Sequence, residues 1–446
     1  WRVVEGSRYF QSPVLYKENG FKKKEDAERL IQELSMGQPL VCTVEKVERK
    51  KENKNPPLLF NLAELQNVCS KLFKISPDET LSIVQNLYEK KLVTYPRTDA
   101  RVLSTAVAKE IYKNISGLRS YPQAGEAAQG VLELGTYKNI AKTRYTNDKQ
   151  ITDHYAIIPT GQGLGALKGL SLTAQRVYET IVRRFLSIFY PPAVYQKVSL
   201  VTKMENESFF SSFKVLLSEG YLKIAANSFA KKSMAEASGK TPESEGEGEV
   251  SCDEALLAAL QKLKKGDILN INGLGIKEGE TSPPKRYNSG SIILAMENAG
   301  QLIEDEDLRS QIKGSGIGTS ATRAEILKKL FNIKYLSLNK KTQVITPTLQ
   351  GEMIYDVVNC SIRQLLNPEL TASWEKGLTY VAEGSITEQE YMDKLERFVR
   401  LRTKQVEDSS FQYALRQFFD AAAQFYKKPE KPAVAKPTKK PDRKPE

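Results

Sequence analysis

The period of the apolar residues changes along this chain, and that change limits the architecture more than any single motif. Residues 1–58 alternate apolar and polar in short runs, WRVVE, RYFQ and LVCTVEKVERK, which reads as β-rich with one helix over 24–35. KENKNPP then reads as a linker. From Leu62 the period is helical, with Leu62, Leu65, Cys69, Leu72 and Phe73 on one face behind Asn61, a candidate N-cap. SPDE at 76–79 opens a second helix running to about Lys91: Ser76 can cap, Pro77 suits the first helical position and Glu79 completes a capping box. A further helix over 172–189 stops at Pro191 and Pro192. Strand-like runs return in YQKVSLVTKM, SFFSSFKVLL and GDILNINGLGI, around a polar insert near 230–250. From PPKRY at 283–287 the pattern is helical to Phe425. A chain of 446 residues is too long for one compact core and suits about two to four domains, so the fold class is multidomain α+β.

Charge narrows the partner. Lys and Arg number 66 against 54 Asp and Glu, a formal net charge of +12. That excess, with no run of about 18 apolar residues to span a membrane, points to a polyanion. The segment 427–446 is basic, Pro-rich and too polar to bury a core, so it reads as a disordered tail. Cys42, Cys69, Cys252 and Cys360 show no CxxC spacing; they read as reduced thiols of a cytoplasmic protein and not as a zinc ribbon. The first residue is Trp1, which points to a chain that begins inside a longer protein, and no secretory leader pattern opens it.

Three segments can carry chemistry. VTYPRTD at 93–99 holds Tyr95, Arg97 and Asp99. A tyrosine is most often structural, and Tyr95 can simply close a loop. In an extended segment, however, Tyr95 and Arg97 face the same way. A guanidinium grips phosphate oxygens by paired hydrogen bonds, and a phenol with a pKa near 10 becomes a nucleophile only beside such cations. Asp99 can orient Arg97 or cap the turn before Val102. The single histidine, His154, lies in DHYAIIPT at 153–160 and by itself reads first as a surface or core residue with no catalytic role. GSGIGTSATRAEIL at 314–327 places Gly318, Thr319, Ser320, Thr322 and Arg323 at a helix start, where amides and hydroxyls suit phosphate; it lacks the Lys of a nucleotide-binding P-loop.

Together these segments resemble the type IA DNA topoisomerases, and most the bacterial topoisomerase III branch. VTYPRTD is similar to the family's active-site tyrosine motif, DHYAIIPT to its histidine motif and GIGTSATRAEIL to its Gly-Thr-rich DNA-binding motif. Further similarity runs through PPLLFNLAELQ at 56–66, RRFLSIFYPP at 183–192, PPKRYNSGSIILAMENAG at 283–300, ITPTLQG at 345–351 and LTASWEKGL at 370–378. The resemblance implies a toroidal core. Segments 1–58 and 190–283 would form a β-rich arch, 59–189 a winged-helix-like domain carrying the tyrosine, and 284–426 a second winged-helix-like, DNA-binding domain. It implies an isomerase in which Tyr95 attacks single-stranded DNA, forms a 5′-phosphotyrosine and frees a 3′-hydroxyl. Arg97 would position the scissile phosphate and His154 would assist there. Asp99, Gly318, Thr319, Ser320, Thr322 and Arg323 would meet DNA. Strand passage and religation then relax negative supercoils or decatenate DNA without ATP, in the cytoplasm on the nucleoid.

The resemblance also implies Mg²⁺, held in the family by an N-terminal Toprim domain with an Asp-x-Asp motif; no metal ligands are assigned in this sequence, and EDED at 304–307 reads as solvated surface. The first part of the family's helical domain and its zinc-finger C-terminus have no counterpart here. Tyr155 stands where a second His is common, and Ala100 where Ser is. The implied partners are single-stranded or underwound DNA and a Toprim-bearing segment. The alternatives are a non-catalytic single-strand-binding module, a subunit of a split enzyme and, more remotely, a winged-helix transcription factor.

Overall fold

The computed structural model describes residues 2–3, 21, 23–37, 39–229, 249–251, 254–276, 278, 283–303 and 316–426. The run RYFQ, most of WRVVE, the polar insert over 230–248, EDED and the tail at 427–446 lie outside the described residues. The chain divides into two compact units: residues 1–65 with 79–285, and residues 66–78 with 286–446.

The first unit contains a sheet of β1 (Arg2–Val3), β2 (Val41–Lys54), β3 (Ala193–Met204), β4 (Glu207–Ser218), β5 (Glu249–Ser251) and β6 (Ile268–Gly273), in the order β1-β6-β2-β3-β4-β5. Its pairs are antiparallel except β4 with β5. β2 pairs with β3 from Thr43 opposite Lys203 to Lys54 opposite Ala193, with a bulge between Val44 and Lys46. This corrects one expectation: KENK at 51–54 is the end of β2, not a linker. Its backbone is held by the ladder to β3 while its polar side chains stay in water, so composition alone misreads it. The alternation turns Val44, Val198, Leu200, Phe213 and Val215 onto Leu260 and Leu263. Arg49 crosses on the same side and donates to the carbonyls of Leu260 and Leu263 at 2.8 and 2.6 Å, meeting acceptors that the end of helix Glu254–Lys262 leaves unpaired.

The helical part of this unit is built on helix Leu172–Ser187. Ser171 caps it, accepting from the Ala174 amide at 3.2 Å, and Pro191 and Pro192 follow it. Val177, Tyr178, Ile181, Val182, Phe185 and Leu186 are all at 0% exposure; burial of each large apolar side chain contributes about 1.5–3 kcal/mol. Helix Pro77–Glu89 adds the buried Val84 and Leu87.

The second unit is described by itself. Asn288 and Ser291 form a reciprocal capping box on helix Ser289–Glu297. Helix Arg323–Asn332 leads into an antiparallel hairpin of β7 (Leu336–Leu338) and β8 (Ile345–Pro347). Helices followed by a hairpin are the order of a winged helix. Ser289 ties the piece together: its hydroxyl meets Ser70 at 2.9 Å and Gln343 at 2.8 Å. The stretch toward Phe425 is two helices, Glu388–Glu407 and Gln412–Phe425, because the residues between them leave the helical register. Among the described residues no helix is long and apolar enough to cross a membrane.

Candidate active site

Tyr95 is placed by its neighbours of even number. After helix Pro77–Glu89 the chain turns through Lys91 at φ 61°, and Val93 bridges Pro159. The Thr94 amide donates to the Ile158 carbonyl at 3.0 Å; its hydroxyl donates to the Ala156 carbonyl and accepts from the Ile158 amide, both at 3.0 Å. Thr98 repeats the device, donating its hydroxyl to the His154 carbonyl at 2.9 Å and accepting from the Ala100 amide at 3.1 Å. Two threonines flanking Tyr95 therefore stitch VTYPRTD to DHYAIIPT. Sequence reasoning missed both; their spacing of four about Tyr95, with Pro96 between, was the available signal.

The stitching brings together two side chains that lie 59 positions apart in the chain. The Tyr95 and His154 rings sit with centroids 4.3 Å apart and planes tilted by 42°. Tyr88 meets Tyr95 edge-on at 5.5 Å and 83°. The phenol ring is thus held between two rings, with Tyr95 half-buried and His154 exposed. The Tyr95 hydroxyl makes no hydrogen bond among the described residues. Neighbouring Tyr155 is half-buried, and burial raises its phenol pKa above the ordinary value.

Arg97 departs from expectation in its backbone. The Thr98 amide donates to the Pro96 carbonyl at 3.0 Å, so Arg97 is the middle of a three-residue turn and not part of a plain extended run. Its side chain is exposed and makes no ion pair among the described residues, with Asp99 included. Asp99 instead offers its carbonyl to the Asn61 amide group at 3.1 Å, while Asn61 Oδ1 caps the next helix by accepting from the Glu64 amide at 2.9 Å. Behind this lies a built support. Glu64 is 3.8 Å from both Arg101 and Arg184, and Arg184 lies 4.1 Å over the Phe60 ring while donating to the Leu58 carbonyl at 3.0 Å. The segments PPLLFNLAELQ and RRFLSIF therefore meet as scaffold under the tyrosine.

In the second unit the Gly-Thr loop is a self-closed turn. Gly316 and Gly318 have φ of 62° and 68°, and a side chain at Gly316 would lie 2.3 Å from the Met296 carbonyl oxygen. The Thr322 hydroxyl accepts from the Thr319 amide at 2.8 Å and lies 3.1 Å from the Thr319 hydroxyl. Thr319 and Thr322 are exposed, and Gly318 and Ser320 half-buried. Arg323 is 1% exposed; it donates to the carbonyls of Ile317 and Gly318, both at 3.2 Å. It shapes the loop from within, whereas the exposed Thr319 and Thr322 turn their hydroxyls on each other.

Mg²⁺ demands oxygen ligands in near-octahedral array. Among the described residues no three Asp, Glu, His or Cys side chains converge. These residues do not fit such an ion by themselves.

The family model described as DNA topoisomerase matches residues 4–393. DNA topoisomerase 3 of Bacillus licheniformis is 33% identical over 358 residues, 79% of this chain and 45% of that protein. DNA topoisomerase 3 of Bacillus subtilis is 32% identical over 386 residues, 86% of this chain and 49% of that protein. The chain thus spans about half the length of the curated relatives it matches. In fold it is similar to full-length topoisomerase I from Thermotoga maritima, with a TM-score of 0.55 at 21% identity over 86% of this chain and 55% of that one. A tyrosine and a histidine paired on stitched segments, inside a match that runs over most of the sequence, lead to one conclusion: this chain belongs to the type IA DNA topoisomerase family.

Proposed function

We propose that this chain carries the strand-cleaving tyrosine of a topoisomerase III-like enzyme acting on single-stranded or underwound DNA. The observation that carries the reading is the state of Tyr95: a hydroxyl without a hydrogen bond on a ring clamped between His154 and Tyr88. The exposed Arg97 guanidinium, two residues on, is available to a phosphate. Tyr95 Oη forms a bond to phosphorus, and the bond to the 3′ oxygen breaks. That oxygen leaves with the electron pair and takes up a proton, while the phenol gives its proton to solvent. Arg97 and His154 bear on the charge that develops at the phosphate. The 5′-phosphotyrosine keeps the energy of the ester, so the 3′-hydroxyl reverses the attack without ATP. Thr319 and Thr322, exposed on the loop that Arg323 braces, contact the backbone of the bound strand. On this reading the protein works in the cytoplasm on the nucleoid, and a Toprim-bearing segment supplies Mg²⁺.

Covalent capture tests it. The chain is mixed with Mg²⁺ and a single-stranded oligonucleotide labelled at its 5′ or 3′ end, then denatured. With the chain joined to a Toprim-bearing segment, the expected product is protein bearing the 3′ label, lost in Tyr95→Phe. Salt-sensitive binding with no adduct would favour a strand-holding module or a subunit that completes its site with a Toprim-bearing polypeptide.

A further inference from the structure

Helix Pro77–Glu89 ends in a turn that brings two tyrosine rings together. The Lys91 amide donates to the Tyr88 carbonyl at 2.8 Å, and the Leu92 amide donates to the Leu87 carbonyl at 2.9 Å. These two bonds, with Lys91 at φ 61°, form the Schellman ending of a helix. Glycine usually takes the position of Lys91, because a β-carbon is crowded in the left-handed region. Leu87 and Leu92, the apolar pair of the motif, are both at 0% exposure. Thr160 braces the turn from the histidine segment. Its hydroxyl donates to the Lys91 carbonyl at 2.5 Å, and its amide donates to the Leu92 carbonyl at 3.0 Å. A lysine is thus held where glycine is usual, and the bend fixes Tyr88 relative to the chain that leads to Tyr95.

Nothing polar among the described residues sets the direction of the Tyr95 phenol. Its hydroxyl makes no hydrogen bond there, and its ring contacts are His154, tilted by 42° at 4.3 Å, and Tyr88, edge-on at 83° and 5.5 Å. A tyrosine side chain has staggered alternatives, and these two rings select among them. Core packing does not account for the aromatic at position 88: Tyr88 is 39% exposed, while Leu87 beside it is fully buried. Among the described residues the Tyr88 ring has one aromatic partner, Tyr95, and its hydroxyl has no hydrogen bond. An edge-on pair sets the positive rim of one ring against the negative face of the other, so the contact depends on angle.

We propose that Tyr88 is a positioning residue for strand cleavage: its ring holds the Tyr95 phenol in the rotamer from which the hydroxyl meets phosphorus. The proposal rests on the reading of Tyr95 as the nucleophile.

The single histidine makes this placement measurable without activity. With ring-labelled histidine the chain gives one imidazole C2–H resonance, shifted by the ring current of Tyr95 at 4.3 Å. No ring contact joins Tyr88 to His154 among the described residues, so an effect of Tyr88 passes through Tyr95. Tyr95→Leu defines where the resonance lies without that ring. At one fixed pH, Tyr88→Leu, shown folded by circular dichroism, should move the resonance toward the Tyr95→Leu value. Tyr88→Phe should leave it in place. Covalent capture is then timed at saturating oligonucleotide with the chain joined to a Toprim-bearing segment. The rate should fall about 2- to 12-fold in Tyr88→Leu, the weight of one aromatic pair, with strand affinity unchanged. Tyr88→Phe should restore the parent rate. A resonance that stays in place in Tyr88→Leu overturns the proposal, and so does an unchanged rate of capture. A parent chain that forms no adduct, with the resonance moving as expected, upholds the placement of Tyr95 by Tyr88 while the cleavage reading fails.

Discussion

Thr98 donates its hydroxyl to the main-chain carbonyl of His154 at 2.9 Å, and this bond connects the segment of the tyrosine to that of the histidine. The same oxygen accepts from the Ala100 amide, and Thr98 is 4% exposed. Thr98→Val keeps the shape but leaves a buried donor and a buried acceptor unmatched. Denaturant unfolding should show a loss of about 1–3 kcal/mol. Covalent capture should fall with it, and Thr98→Ser should restore both.

Tyr95→Phe removes only a hydroxyl that makes no hydrogen bond among the described residues. The ring contacts to His154 and Tyr88 persist. Stability should change by less than about 0.5 kcal/mol, and single-strand affinity should hold. Adduct formation should vanish. An adduct that survives in this variant would locate the nucleophile elsewhere.

Arg323→Met tests the Gly-Thr loop. The guanidinium at 1% exposure supplies donors to the Ile317 and Gly318 carbonyls. Methionine fills similar volume without them, so the expected cost is about 1–3 kcal/mol in thermal or denaturant unfolding. Strand affinity should drop through loss of loop shape, with a salt slope close to that of the parent, because Arg323 itself is proposed to touch no phosphate.

Asp148 provides a pH signature. It accepts from the Thr105 hydroxyl at 2.5 Å and from the Thr105 amide at 2.8 Å, and these bonds hold its carboxyl pKa below the ordinary value. A carboxylate depressed in the folded state stabilises above its unfolded pKa, about 3.9, and that contribution is lost as pH falls through the folded value. Asp148→Asn should therefore cost stability in the neutral region and little at acid pH, where the contribution of the carboxylate is already lost, so the acid limb of the stability profile flattens. Chemical denaturation across pH reads this out.

Much of this protein is written locally. Asn61 caps its helix, Ser171 caps helix Leu172–Ser187, and the alternating runs of β2, β3 and β4 are strands, because caps and hydrophobic periods depend on neighbours a few residues away. Tyr95 and His154 could be picked out as candidates, since their motifs are continuous in sequence. Three things were decided only by the tertiary structure. KENK became strand because β3 lay beside it, with Lys54 opposite Ala193. Arg97 came to sit in a three-residue turn because Thr98 was drawn toward His154. Arg323, polar and read as a DNA contact, was turned inward by the carbonyls of a glycine loop. Hydrogen bonds and burial between segments far apart in the chain set each of these outcomes, and a period or a cap in a single segment carries no record of such partners.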